Sequence, residues 1–315
     1  MKSDRALWSR RRFLRQSSGA VAGLGLARVA AAGAPEKIVD SHVHFYDTTR
    51  PGGVPWPSRD NAVLYSPHLP ASFRALTQNL GVTGVVVIEA EALPADNDWV
   101  LNLAKTEPLI LAYIARLTPG QPEFAANFER YTKSPIFRGL RLREDDLAQG
   151  LGQRKFDRDL QQIAERQLTI DVVGGAGMLA NVQKIAEKAP GSPIVIDHLP
   201  FAEWDFKPAE MRAALRPVAE HPNVCAKISY VLRRVNGRLL TDLSDYQRTL
   251  DTLWSVFGND RVIYGSNWPV SDVTGPYDAV LKVVRDYVST RAPASAEKYF
   301  WKNSQKAYGW RFRQS

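Results

Sequence analysis

Cysteine is nearly absent from this chain: Cys225 stands alone among 315 residues. An intrachain disulfide is therefore impossible, and thiolate zinc clusters are excluded. Histidine is almost as scarce, with five residues, so imidazole chemistry has few places to reside. No apolar run is long enough to span a bilayer, because the stretch from Ser17 to Ala27 is short and is ended by Arg28. Ser41 to Phe45 contains no glycine, whereas an open doubly wound sheet would carry a glycine-rich phosphate loop after its first strand. The composition, 44% hydrophobic and 23% charged, is that of an ordinary globular chain that builds its core without staples.

A basic body is also missing. The formal charge is +8, yet residues 1–34 hold seven basic side chains against Asp4 alone, which leaves 34 basic and 32 acidic side chains in the remainder. A body at +2 is poor material for binding a phosphate backbone, so nucleic acid is not an expected partner.

The basic start has its own pattern. Ser9-Arg10-Arg11-Arg12-Phe13-Leu14-Arg15 matches the twin-arginine export motif, a weakly apolar stretch follows, and residues 30–34 offer Ala-x-Ala cleavage sites. We expect residues 1–34 to be a flexible leader read by the twin-arginine export machinery and cleaved near residues 32–34. That reading makes residues 35–315 a single periplasmic domain with no stable membrane anchor. The competing reading is a basic amphipathic N-terminal helix.

From Pro35 onward, β-rich apolar runs alternate with segments of helical spacing about eight times. The runs predict strands at Lys37 to Asp40, Thr83 to Ile88, Ile110 to Ala115, Phe137 to Leu142, Thr169 to Val173, Pro193 to Ile196, Val224 to Ile228 and Arg261 to Tyr264. Strands apolar on both faces and separated by single helices imply a parallel sheet. Eight such units in about 280 residues imply a closed α/β barrel, the (β/α)8 TIM barrel. One connection, Phe45 to Pro70, is too long for a plain linker and is rich in proline and aromatics. It reads as a lid or substrate wall, or equally as a loop that covers the barrel bottom or pairs subunits.

The chemistry-bearing residues sit at strand ends. Asp40-Ser41-His42-Val43-His44 closes the first predicted strand, and strict alternation would place Asp40, His42 and His44 on one face. Active sites of parallel barrels form at that end. Two imidazoles there can bind a divalent ion or polarise a carbonyl unaided, or they are simply hydrogen-bonded structural residues. His198 follows the sixth predicted strand and brings a third imidazole to the same mouth. Tyr264-Gly265-Ser266-Asn267-Trp268-Pro269 ends the eighth with a tight turn that either holds Asn267 over the mouth or lets it cap its own backbone. Arg141 and Arg143 share a face of the fourth strand, where they suit a substrate carboxylate or a barrel-layer ion pair. Trp56 and Trp268 sit where a ligand could meet them, though most tryptophans here should be packing anchors.

Taken in order, Asp40-x-His42-x-His44, Phe137-Arg138-Gly139-Leu140-Arg141, Asp197-His198, Ala226-Lys227-Ile228-Ser229, Gly265-Ser266-Asn267-Trp268-Pro269-Val270 and Asn303-Ser304-Gln305-Lys306-Ala307-Tyr308-Gly309 resemble the amidohydrolase-related family. The likeness is to its branch of TIM-barrel sugar-acid and pyrone-dicarboxylate lactonases. The resemblance implies that water is added to the carbonyl of a small lactone, ester or amide, a small-molecule substrate. It also implies that His42, His44 and His198 bind one divalent metal such as zinc or manganese, or act on the oxyanion without metal, since members of both kinds are known. The eighth-strand position that is usually an aspartate base is Asn267 here, and an amide has no useful basicity. Another carboxylate then replaces it, with Glu89 favoured over Glu91 and Asp272 unless it is tied up with Arg141 or Arg143. Alternatively a metal-bound water ionises unaided with Asn267 orienting it, or the scaffold serves as a non-hydrolytic binding protein or a decarboxylase. No part of the pattern sets an oligomeric state.

Overall fold

The computed structural model describes residues 37–51, 53–90, 93–199 and 207–313. The export motif and Glu91 lie outside the described residues. Eight parallel strands follow one another: β1 Ile38–Val43, β2 Val82–Ile88, β3 Ile110–Ala115, β4 Phe137–Arg143, β5 Thr169–Val173, β6 Ile194–Leu199, β7 Val224–Ile228 and a closing strand, Val262–Tyr264. They pair in chain order, each predicted strand overlaps an observed one, and the fold is the expected (β/α)8 barrel. Closure comes from β1 meeting the turn after the closing strand. The Asn267 N–H donates to the His42 carbonyl at 2.9 Å, and the His44 N–H donates to the Trp268 carbonyl at 2.8 Å.

Proline starts several of the covering helices, including Pro70–Thr77, Pro94–Thr106 and Pro208–Ala219. Its fixed φ suits the first turn, where its missing N–H has no partner to lose. One apolar layer lies between the strands and these helices and includes Ile38, Val85, Leu140 and Ile170. A second fills the lower barrel interior with Val39, Val86, Leu111, Val195 and Ile263, and the C-terminal Tyr308 and Trp310 pack into it. Above this apolar floor the interior turns charged, with Asp171, Asp197 and Lys227 all fully buried. Among the described residues, no helix is long and apolar enough to cross a membrane.

The expected single face for Asp40, His42 and His44 is not what forms. The pairing of β1 with β2 shifts register between Asp40 and Val43, and a shift of this kind breaks the simple alternation of side chains. Asp40 turns to the helix layer, where it accepts from the Tyr277 hydroxyl at 3.0 Å and from the Ser266 N–H at 2.9 Å. The irregularity leaves His42 and His44 together at the mouth and takes Asp40 out of it. Burial pushes the Asp40 carboxyl up to about 6.

Candidate active site

A cavity of about 440 Å³ opens at the carboxyl ends of the strands, lined by polar residues that include His44, Glu89, Arg141, Arg143, His198 and Asn267, with Pro55 and Trp56 on one wall. The long proline-rich connection therefore supplies a wall of the site. Its ends are tied to each other by paired backbone hydrogen bonds between Tyr46 and His68 at 2.9 and 3.1 Å, and the Trp56 ring leans on His44 with centroids 6.2 Å apart. His68 is not a surface residue. It packs between Tyr46, tilted at 5.0 Å, and Trp268, edge-on at 5.1 Å, and fastens the loop to the barrel. Trp268, expected to meet a ligand, lies outside the cavity lining instead. It is 4% exposed and packs on Phe73 at 5.2 Å and Phe45 at 6.2 Å, because its backbone follows Asn267 away from the mouth.

The three imidazoles expected to converge do so. His42 lies 4.9 Å from His44 and 4.5 Å from His198, centroid to centroid, although four strands of the chain lie between 42 and 198. Burial is the largest cause of their shared electrostatics: it holds His42 well below the usual imidazole range, His44 at about 4 and His198 at about 3. All three are neutral near pH 7. Their hydrogen bonds then fix the tautomers. His44 donates from Nδ1 to the carbonyls of Ile88 and Glu89, each at 3.1 Å, so its Nε2 carries the lone pair. The Asn267 Oδ1 lies 3.2 Å from that nitrogen; an oxygen cannot donate to a lone pair, so the complementary arrangement has the amide turned end for end, with its N–H toward His44. Asn267 therefore acts as a donor over the mouth. His198 donates from Nδ1 to the Ser229 hydroxyl at 3.0 Å and faces the Arg141 guanidinium with Nε2 at 3.4 Å.

Backbone strain clusters at the same rim. His198, Asn267 and Tyr230 all have φ between 54° and 65°, a region that costs non-glycine residues free energy and that collects at functional sites. Gly265 supplies the space: a Cβ there would sit 2.6 Å from the Cβ of His42.

Glu89 and the two arginines form the ion pairs expected as one reading of them, and all three line the cavity. Glu89 lines the cavity, and its Oε1 lies 3.7 Å from Arg141 and 3.6 Å from Arg143. Those distances are ion pairs without hydrogen bonds, and both carboxylate oxygens are buried without a hydrogen-bond partner. Burial outweighs the two guanidiniums and raises the Glu89 carboxyl above its usual range. Arg141 is almost buried and also reaches Asp197 at 3.1 Å, whereas Arg143 is half-exposed at the rim. Asp272 does not line the cavity.

A model of the family described as amidohydrolase matches residues 39–310. This chain belongs to the amidohydrolase family. It is similar to an L-fucono-1,5-lactonase of Burkholderia multivorans, 27% identical over 84% of this chain and 92% of that one. An L-fucono-1,5-lactonase of Burkholderia ambifaria is 25% identical over 76% and 82% of the two chains. Among solved structures, an amidohydrolase from Burkholderia multivorans crystallised with HEPES superposes with a TM-score of 0.77 at 25% identity, covering 87% of this chain and 99% of its own.

The donor set of this amidohydrolase fits one divalent ion. Ligand atoms of His42, Asp197 and His198 lie within 4.8 Å of one another, both ring nitrogens of His42 are buried without a hydrogen-bond partner, and neutral imidazoles are suitable donors for zinc or manganese. His44 is not among the residues whose ligand atoms gather within that distance. Asp197 takes its place, a residue the sequence reading passed over except as part of a motif.

Two further charged residues were missed. Lys227 lies fully buried between Asp197 at 2.9 Å and Asp171 at 2.7 Å, and the Tyr308 hydroxyl donates to Asp171 at 3.0 Å. The signal was present: Asp171 in Thr169–Val173 and Lys227 in Val224–Ile228 interrupt strands that are otherwise almost wholly apolar, and charged groups are rarely buried without a purpose.

Proposed function

We propose that the mouth of this barrel hydrolyses a small lactone, and the observation that carries the reading is that two neutral imidazoles, His44 and His198, line one cavity with the Arg141 guanidinium while a third, His42, is buried against both rings. The two curated relatives named as lactonases support a cyclic ester as the substrate. The cavity, about 440 Å³ and open at the rim, suits a single ring.

The residues divide the work as follows. Trp56 offers an apolar face on which a ring can rest. Arg141, whose guanidinium points toward His198, donates charge-assisted hydrogen bonds to the carbonyl oxygen as it becomes an oxyanion. Asn267 donates an N–H into the mouth and orients the reactants. Glu89, raised by burial and free of hydrogen bonds, is the carboxylate placed to take the proton of the attacking water, the part that Asn267 cannot play. His42, His198 and Asp197 would hold a divalent ion, which supplies Lewis-acid polarisation of the carbonyl and a more acidic water when bound. Arg143 stands at the rim beside Glu89 and meets the outer edge of the substrate.

A panel of sugar-acid and aromatic lactones, assayed by acid release, tests the reading. His198→Ala and His42→Ala should abolish turnover while the thermal transition stays cooperative. Full activity in both, or no lactone hydrolysed by the parent protein, removes the reading; tight ligand binding with no turnover would favour the non-hydrolytic alternative.

We also propose export by the twin-arginine route to the periplasm, on the strength of Ser9 to Arg15. Mass spectrometry of the protein purified from its host should find an N-terminus near residues 32–34, and an N-terminus at residue 1 or 2 would overturn it.

A further inference from the structure

Stability gives no reason for charge inside this barrel. The interior of such barrels is ordinarily filled by branched aliphatic side chains, and a buried ion pair is commonly no more stable than the apolar residues that could replace it. Yet Lys227, Asp171 and Asp197 form a ladder with no exposed member. The ladder rises from the C-terminal segment to the site: Tyr308 to Asp171, Asp171 to Lys227, Lys227 to Asp197, and Asp197 to Arg141 at 3.1 Å and to His42 at 3.5 Å.

The two carboxylates are not equivalent. Asp197 meets Lys227, Arg141 and His42, while Asp171 meets Lys227 and a neutral hydroxyl. Asp171 accepts hydrogen bonds from both Lys227 and Tyr308, whereas both oxygens of Asp197 are buried with ion pairs but no hydrogen bond. Asp197 is therefore held by charge, and without Lys227 it has a single full cation. Its position in turn sets two residues of the mouth, since it is the acidic partner of His42 and of the Nε edge of Arg141.

We infer that Lys227 is a positioning residue for the hydrolytic reaction: it touches no substrate, and it fixes Asp197 so that His42 and Arg141 keep their orientation at the cavity. Asp171, anchored by Tyr308, fixes the lysine from below. The lactonase reading supplies the reaction through which this role is assayed, and the geometry of His42 supplies a readout that does not depend on it.

The test uses two variants of the full chain. Lys227→Met alone leaves two buried carboxylates facing each other and is expected to lower stability. Lys227→Met combined with Asp171→Asn removes one cation and one anion together, and should recover most of the lost melting temperature. With the fold restored, kcat should stay about 10- to 100-fold below the parent while KM stays within about threefold, the size of effect seen when a residue supporting an active-site group is lost. Nitrogen-15 signals of the His42 imidazole should move in the double variant, because its acidic partner is no longer held. Recovery of kcat together with melting temperature would show a merely structural lysine and overturn the inference. Unmoved His42 signals in the double variant would overturn it as well. If the parent protein hydrolyses no lactone, the lactonase reading fails by itself, and the His42 signals alone then decide the role of Lys227.

Discussion

Replacing Glu89 by glutamine separates chemistry from stability, because the amide keeps the shape and removes the charge. Two opposing energies bear on the fold. The carboxylate lies 3.6–3.7 Å from Arg143 and Arg141, and a charge pair at such a distance gains about 4 kcal/mol at an effective dielectric near 20, before any desolvation. Arg143 is half-exposed, so its share is screened. Against this stands the burial of two carboxylate oxygens with no donor, where each unsatisfied group costs about 1–3 kcal/mol and a charged one more. The sum is small. We expect the variant to melt within about 5 °C of the parent, given about 2–4 °C per kcal/mol for a domain approaching this size. Turnover should behave otherwise, since loss of a general base costs about 10²- to 10⁴-fold in kcat. Steady-state lactone hydrolysis at pH 7–8, measured beside a thermal melt, gives both numbers. A kcat within twofold of the parent would refute the role assigned to Glu89, and a large fall in melting temperature would show that the ion pairs outweigh the cost of burial.

Asn267→Asp separates a lost base from a working donor. An anionic oxygen set against the His44 lone pair repels it, so kcat/KM at pH 8 should fall about tenfold or more; a rise would mean that the position only awaits its carboxylate. Gly265→Ala drives a Cβ to 2.6 Å from His42 and should cost about 1–3 kcal/mol through overpacking, with activity lost beyond the loss of folded protein; an active, equally stable variant would show that the turn relaxes freely. Asp40 gives a dependence of stability on pH. Its carboxyl stands at about 6 in the fold against 3.8 in the unfolded chain, so the folded state holds a proton that the unfolded state releases between those values. This contribution is full below about pH 4 and is lost as pH rises through 6, amounting to about 1 kcal/mol between pH 5 and pH 8. Denaturant titrations of Asp40→Asn at the two pH values should show that difference relative to the parent, and identical differences at both would refute it.

The sequence by itself determined the architecture. Eight apolar runs at regular intervals, each followed by helical spacing, admit few arrangements other than a parallel barrel, because parallel strands must be covered on both faces and joined by helices. It also determined which imidazoles meet, since a residue just past a strand of such a barrel has only one rim to occupy, and His42, His44 and His198 are all of that kind. Side-chain direction was decided elsewhere. Asp40 was assigned to the mouth by alternation along β1, and the register shift before Val43 turned it to Tyr277 instead. Trp268 follows a residue that lines the cavity and is itself buried among Phe45, His68 and Phe73. Lys227 and Asp171 were visible as charges in apolar strands, but their partnership spans two neighbouring strand pairings and exists only once the barrel has closed. Local pattern fixes the period and the end of a strand, whereas the partner of a buried charge depends on contacts between segments that the chain brings together only by folding.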